Sequence, residues 1–329
     1  MIPVRILGTG SALAGAPRAT AEIADVALPG RDPGALERRI GIRTRRWAPP
    51  EVTAAALGAA AVAEALSAAG IAAADLRRLI FASSTGGDAL IPATANGVLE
   101  ALGLDDVCDA FDVNNACAGF LTAFDLAARS VATGLGPVAI VAAEIFSRYL
   151  SPERPRPYLI FGDAAAAAIL GPGRPGEGVL AASLRNGAAL RGRVVMEHPG
   201  LTGAPPWLDF RASYDEISAS AVDAIRASST AVAGAAGIAP ADAEWFVPHQ
   251  PNGALLGLLI AELGIDRARV VPIVDEIGSV GAASVPFSLD RLLRTREVRP
   301  GDRILLTAVG AGTGHGAILY RVAPGEGGA

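Results

Sequence analysis

Two cysteines and three histidines are the groups in this 329-residue chain best suited to nucleophilic or base chemistry near neutral pH. Cys117 lies in the stretch VNNACAGF, residues 113 to 120, after a run that reads as a buried strand and before one that reads as a helix. A thiol there is either a small apolar filler, the common role of free cysteine, or a nucleophile whose pKa the positive helix end lowers from about 8.5 towards neutrality. The segment fits both. Cys108, in LDDVCDAF among three acids, has no such help and reads as structural. His249, in FVPHQPN, follows an apolar run; Pro248 and Pro251 fix the backbone around it, which favours a base or hydrogen-bond donor. His198, in MEHPG, reads as a solvated loop residue. His315 lies in AVGAGTGHG, whose glycines alternate and do not follow the dinucleotide pattern G-x-G-x-x-G. Such a loop suits backbone N–H groups that approach a ligand oxygen, as an oxyanion hole requires.

Placing these residues is the task of short apolar runs that alternate with Ala-rich helical segments, the pattern of an α/β protein with buried strands. The expected strands are VRILG, LIFASS, AFDVN, VAIVAAE and AAAIL, then GVLAAS, WFVPH, VVPIV, RILLTAV and GAILYRV. Between them GPGRPGEG, residues 171 to 178, reads as a linker. Shifting the chain by 166 residues lays LIFASSTGG over WFVPHQPNG and FDVNNACAGF over IGSVGAASVP, so two duplicated halves are expected, residues 1–172 and 173–329. Equivalent strand ends would then meet, and Cys117, His249, the 278–284 loop and the 310–316 loop would converge.

Composition narrows the chemistry. All 28 basic residues are arginine, which excludes lysine Schiff-base mechanisms. A net charge of −5 with scattered arginines speaks against nucleic acid. The Cys108–Cys117 spacing and the separated histidines match no zinc pattern, so no metal is expected. Neither a signal peptide nor a membrane span is legible, and a cytoplasmic setting is the expectation. Absence of G-x-S-x-G leaves a serine hydrolase unsupported.

The motifs GIRTRRWA, FDVNNACAGF, LIFGDAAAAAIL, FVPHQPN, GSVGAASVP and AVGAGTGHGAILYRV, in this order over nearly the whole chain, resemble the thiolase superfamily and within it the β-ketoacyl-ACP synthase III branch. The resemblance implies a five-layered αβαβα fold and a homodimer. It implies no permanently bound cofactor, with acyl-CoA or the phosphopantetheine of an acyl carrier protein as substrate. It makes Cys117 the nucleophile and His249 its partner, with the N–H groups of Cys117 and Ala311 as oxyanion hole. The retained Arg39, and Arg154 and Arg156, would meet the thioester's phosphates. Leu90 or Ile91 of the facing subunit would close the acyl tunnel, whose near wall includes Val309.

Departures from the family pattern shape the functional expectation. Ser279 stands where condensing members carry the asparagine of GNxxAAS, and Val309 replaces a phenylalanine. Losing one amide donor to a developing enolate costs on the order of 3 kcal/mol. Ala35 replaces the tryptophan that stacks on coenzyme A, and GALLGLLIAELG lacks the basic residues that dock the acidic carrier; weak coenzyme A binding is therefore expected. The first reading is an acyltransferase that passes an acyl group from Cys117 to a hydroxyl, amine or thiol without decarboxylation. Alternatives are a decarboxylative synthase using malonyl-ACP and an inactive partner subunit.

Overall fold

The computed structural model describes residues 1–324. One sheet is built from β1 (Val4–Ala12), β2 (Arg78–Ala82), β3 (Asp109–Val113), β4 (Val138–Glu144) and β5 (Ala164–Pro172), in the order β1-β5-β4-β2-β3. A second uses β6 (Gly178–Asn186), β7 (Trp245–Pro248), β8 (Arg303–Val309) and β9 (Gly314–Arg321), in the order β6-β9-β8-β7. In each sheet the first two pairings are antiparallel and the next is parallel. Four strands of the first sheet thus have counterparts in the second, in the same order and the same relative directions.

Helices complete five layers. α1 (Ala54–Ala69) and α2 (Thr94–Ala101) cover the outer face of the first sheet, while α4 (Tyr214–Ala235) and α5 (Gly253–Glu262) cover that of the second. Between the sheets run α3 (Gly119–Ala132) and α6 (Ser284–Thr295), packed against both. Three apolar clusters follow from this stacking, and the central one holds Phe120, Phe124, Val285 and Leu289, each at most 4% exposed with its neighbour Phe287. The local signals are conventional: Thr53 caps α1 by accepting from Ala56 N–H at 3.0 Å, and Ser213 with Glu216 forms a capping box on α4. No helix among the described residues is long and apolar enough to cross a membrane.

One expected strand is absent. VVPIV, residues 270 to 274, touches β7 only through a bridge between Val270 and Phe246, at the place β3 holds in the first sheet. Pro272 lacks the N–H that a ladder needs. The Gln250 side chain takes over the pairing instead, accepting from Ile273 N–H at 2.9 Å and Val274 N–H at 3.2 Å and donating to Val271 C=O at 3.0 Å. The residue beside His249 is thereby anchored in the core.

Candidate active site

Cys117 sits in a tight turn between β3 and α3. Asn114 Oδ1 accepts from Ala116 N–H at 3.0 Å, and Ala116 adopts φ +46°, the left-handed region that side chains other than glycine enter rarely. The helix begins at Gly119, so the sulfur lies just ahead of it and not within its first turn. His249 follows the end of β7, its N–H donating to Thr307 C=O at 2.7 Å. Ser279 is pinned between segments of the first half: its N–H donates to Ile160 C=O at 2.7 Å, and its C=O accepts from Gly162 N–H at 2.9 Å.

These three side chains, far apart in sequence, border one cavity of about 580 Å³, together with Val309 and Ala311. The N–H groups of Cys117 and Ala311 face the sulfur and favour its anion. Gly310 brings the loop this close, for a Cβ there would lie 2.8 Å from Cys117 N. A second cavity of about 370 Å³ also reaches Cys117, bounded by Phe146, Leu208 and Met196.

The electrostatics correct one expectation. The thiol is not lowered towards neutrality; burial pushes it up to about 12, helped by the Glu144 carboxylate and opposed by Ser84, whose Oγ lies 4.0 Å from the sulfur. Burial likewise pushes the His249 imidazole down to about 4. The resting pair is thus neutral thiol and neutral imidazole, and the imidazole can accept a proton at one nitrogen while donating from the other. His249 Nδ1 and Ser279 Oγ are buried without a hydrogen-bond partner, which leaves both available to a reacting group.

The remaining expected positions divide. Arg39 and Arg156 border the main cavity; Arg154 does not, and stands 3.8 Å from Asp209. The nearby Arg148 donates to Pro50 C=O at 3.1 Å and also to Val52 C=O. Leu90 and Ile91 are 80% and 87% exposed and border neither cavity of the single chain. Asp275 and Glu276, just before the Ser279 loop, pair with Arg43 at 3.0 Å and Arg291 at 2.9 Å. His198 caps its own short helix, and His315 Nδ1 lies 2.7 Å from Ser228 Oγ. In α5 the flank Leu255, Leu256, Leu259 and Ile260 is core, with Leu258 the exposed leucine. Sequence reasoning missed Arg193 and Tyr214 at the main cavity and Ser84 and Glu144 beneath the sulfur. Arg193 falls in an irregular region and Tyr214 opens α4; Glu144 carried a signal, an acid closing the wholly apolar run VAIVAA.

Residues 111–187 match the family model 3-oxoacyl-[acyl-carrier-protein] synthase III, and residues 234–322 match the model of its C-terminal part. The chain is 36% identical over 318 residues to a β-ketoacyl-[acyl-carrier-protein] synthase III of Rhizorhabdus wittichii, covering 96% of this chain and 98% of that one. It is 37% identical over 319 residues to the protein of that name from Sphingopyxis alaskensis, with coverage of 96% and 98%. The crystal structure of 3-oxoacyl-[acyl-carrier-protein] synthase III from Aquifex aeolicus superposes with a TM-score of 0.89 at 27% identity, covering 97% of this chain and 99% of that one. With its two repeated sheets, its cysteine and histidine at one cavity and relatives matched almost end to end, the chain belongs to the thiolase-like 3-oxoacyl-[acyl-carrier-protein] synthase III family.

Proposed function

We propose that the chain accepts an acyl group from a coenzyme A or carrier-protein thioester onto Cys117 and joins it, with loss of carbon dioxide, to a malonyl unit held by an acyl carrier protein. The observation that carries this is the meeting of Cys117, His249 and Ser279 at one cavity, with two N–H groups facing the sulfur. In the first half-reaction Sγ bonds to the donor carbonyl carbon, the N–H groups of Cys117 and Ala311 receive the oxyanion, and the carrier sulfur leaves with a proton. In the second, His249 and the free Ser279 hydroxyl would donate to the malonyl thioester carbonyl as the carboxylate departs. The resulting enolate attacks the acyl carbon and releases the Cys117 sulfur.

Condensation is preferred to simple acyl transfer because the end-to-end relatives carry the name β-ketoacyl-[acyl-carrier-protein] synthase III. The second reading, transfer to a hydroxyl, amine or thiol without decarboxylation, is favoured by one observation, the serine hydroxyl of residue 279 where condensing members carry an amide. The proposed working form is a cytoplasmic homodimer in which Leu90 and Ile91 from each subunit complete the other's acyl tunnel, with an acyl carrier protein as partner. Arg39 and Arg156 would hold the phosphates of the pantetheine arm.

The test is incubation with an acyl donor and malonyl-ACP carrying label in the free carboxylate. Labelled carbon dioxide released in step with a 3-oxoacyl product supports condensation. An acyl-enzyme that forms on the wild type but not on Cys117→Ala, with no such release, supports the second reading. No acyl mass on either protein would point to an inactive subunit.

A further inference from the structure

Glu144 closes β4 and is fully buried. Its Oε1 accepts from Ser84 N–H at 2.8 Å and from Ala282 N–H at 3.0 Å, while Oε2 lies 3.1 Å from Ser83 Oγ. One carboxyl group therefore ties the end of β2, which directs Ser84 at Cys117, to the loop that carries Ser279. The loop is pressed against it, since a Cβ on Gly281 would come within 2.7 Å of Oε1.

Hydrogen bonds from the Ser84 and Ala282 N–H groups and the Ser84 and Ser83 hydroxyls favour the carboxylate, but burial outweighs them. Among the described residues no arginine or histidine forms a salt bridge with it. The titratable groups that sense its charge are Cys117 and Tyr149, and beyond Tyr149 stand Arg148 and Asp88; Phe146, Gly281 and Ala282 contribute none. A buried carboxylate without a counter-ion is costly. Both backbone donors converge on Oε1, which leaves Oε2 to carry the proton of the neutral acid; Ser83 Oγ donates to Oε2 when it is ionised and can accept from it when it is protonated.

We propose that Glu144 is a positioning residue that works in its neutral form, holding Ser84 and the Ser279 loop around Cys117, and that its ionisation opposes the Cys117 thiolate. Burial supports this by raising the carboxyl to about 7. The proposal rests on the proposed function only in taking Cys117 as nucleophile.

The test needs no acyl donor: iodoacetamide alkylation of Cys117, followed by peptide mass to separate it from Cys108, across a series of pH values. In the wild type the rate should climb tenfold per pH unit, then flatten once Glu144 ionises near 7. Glu144→Gln keeps both backbone bonds through its amide oxygen and can donate to Ser83, so its rate should keep climbing. The two proteins should match near pH 6 and differ about tenfold or more near pH 9. Parallel profiles, or a wild-type line that runs straight through neutrality, would overturn the proposal. Should Glu144→Gln fail to fold, the wild-type profile alone decides. Loss of malonyl condensation with the alkylation pattern intact would sink the proposed function and leave this inference standing.

Discussion

Gly310 faces the backbone nitrogen of Cys117 so closely that a methyl group on it would lie 2.8 Å from that nitrogen and 3.1 Å from the Ala116 Cβ. The Gly-rich loop of the second half is thus laid directly on the cysteine turn of the first, which brings Ala311 N–H over the sulfur. Gly310 itself has φ −128°, available to any residue, so the constraint is space and not backbone torsion. Gly310→Ala should push the loop outward and remove one oxyanion donor, lowering kcat of acyl transfer by about a hundredfold or more. Overpacking should cost about 1 to 3 kcal/mol in urea unfolding. An active variant with unchanged kcat would show that Ala311 does not serve the oxyanion.

Ser279 offers a clean exchange, because its backbone is held on both sides by Ile160 C=O and Gly162 N–H and only its hydroxyl is unpartnered. Ser279→Ala should lower carbon dioxide release from malonyl-ACP by about tenfold, and Ser279→Asn should raise it above wild type by as much as about a hundredfold. Acyl loading of Cys117, read by intact mass, should stay near wild type in both. If decarboxylation is undetectable in wild type and appears only in Ser279→Asn, the non-condensing reading gains over the condensing one.

Three arginines expected to meet phosphates now make different predictions. Arg39 and Arg156 border the main cavity, while Arg154 turns towards Asp209. Arg39→Ala and Arg156→Ala should each raise KM for the acyl donor several-fold with kcat little changed, the mark of binding shared by ground and transition states. Arg154→Ala should leave both constants near wild type. Arg156 also donates to Ala212 C=O at 2.6 Å and stacks 5.1 Å from the Phe210 ring, so its variant should be checked for melting temperature as well.

Much of the fold was legible because duplication leaves a periodic trace: the 166-residue shift that overlays LIFASSTGG on WFVPHQPNG is the relation between β2 and β7. VVPIV misled because its apolar content matches a strand, while the competing partner, the Gln250 amide, is visible only in three dimensions. Cys117, His249 and Ser279 were found through motif order, since spacing alone left Cys117 undecided. The direction of the thiol's shift was not legible because a sequence shows the coming helix but neither the burial of the sulfur nor the Glu144 carboxyl beside it. Leu90 and Ile91 are exposed and border neither cavity of the single chain, a placement that a sequence does not reveal.

His249 links stability to pH with a defined sign. Its imidazole titrates at about 4 in the folded protein against 6.5 when unperturbed. Between these values the unfolded chain binds the extra proton, so stability rises with pH across the window. The contribution is complete above 6.5 and is lost as pH falls through about 4, amounting to about 3 kcal/mol by linkage. Glu144, raised to about 7, works in the opposite direction, since its protonation favours the folded state as pH falls. A wild-type curve alone therefore mixes the two. The difference between wild type and His249→Gln isolates the histidine, because Glu144 is common to both. In urea unfolding, wild type should lose about 3 kcal/mol more than His249→Gln between neutrality and about pH 4. Equal losses would show that His249 titrates normally and is not held neutral in the site.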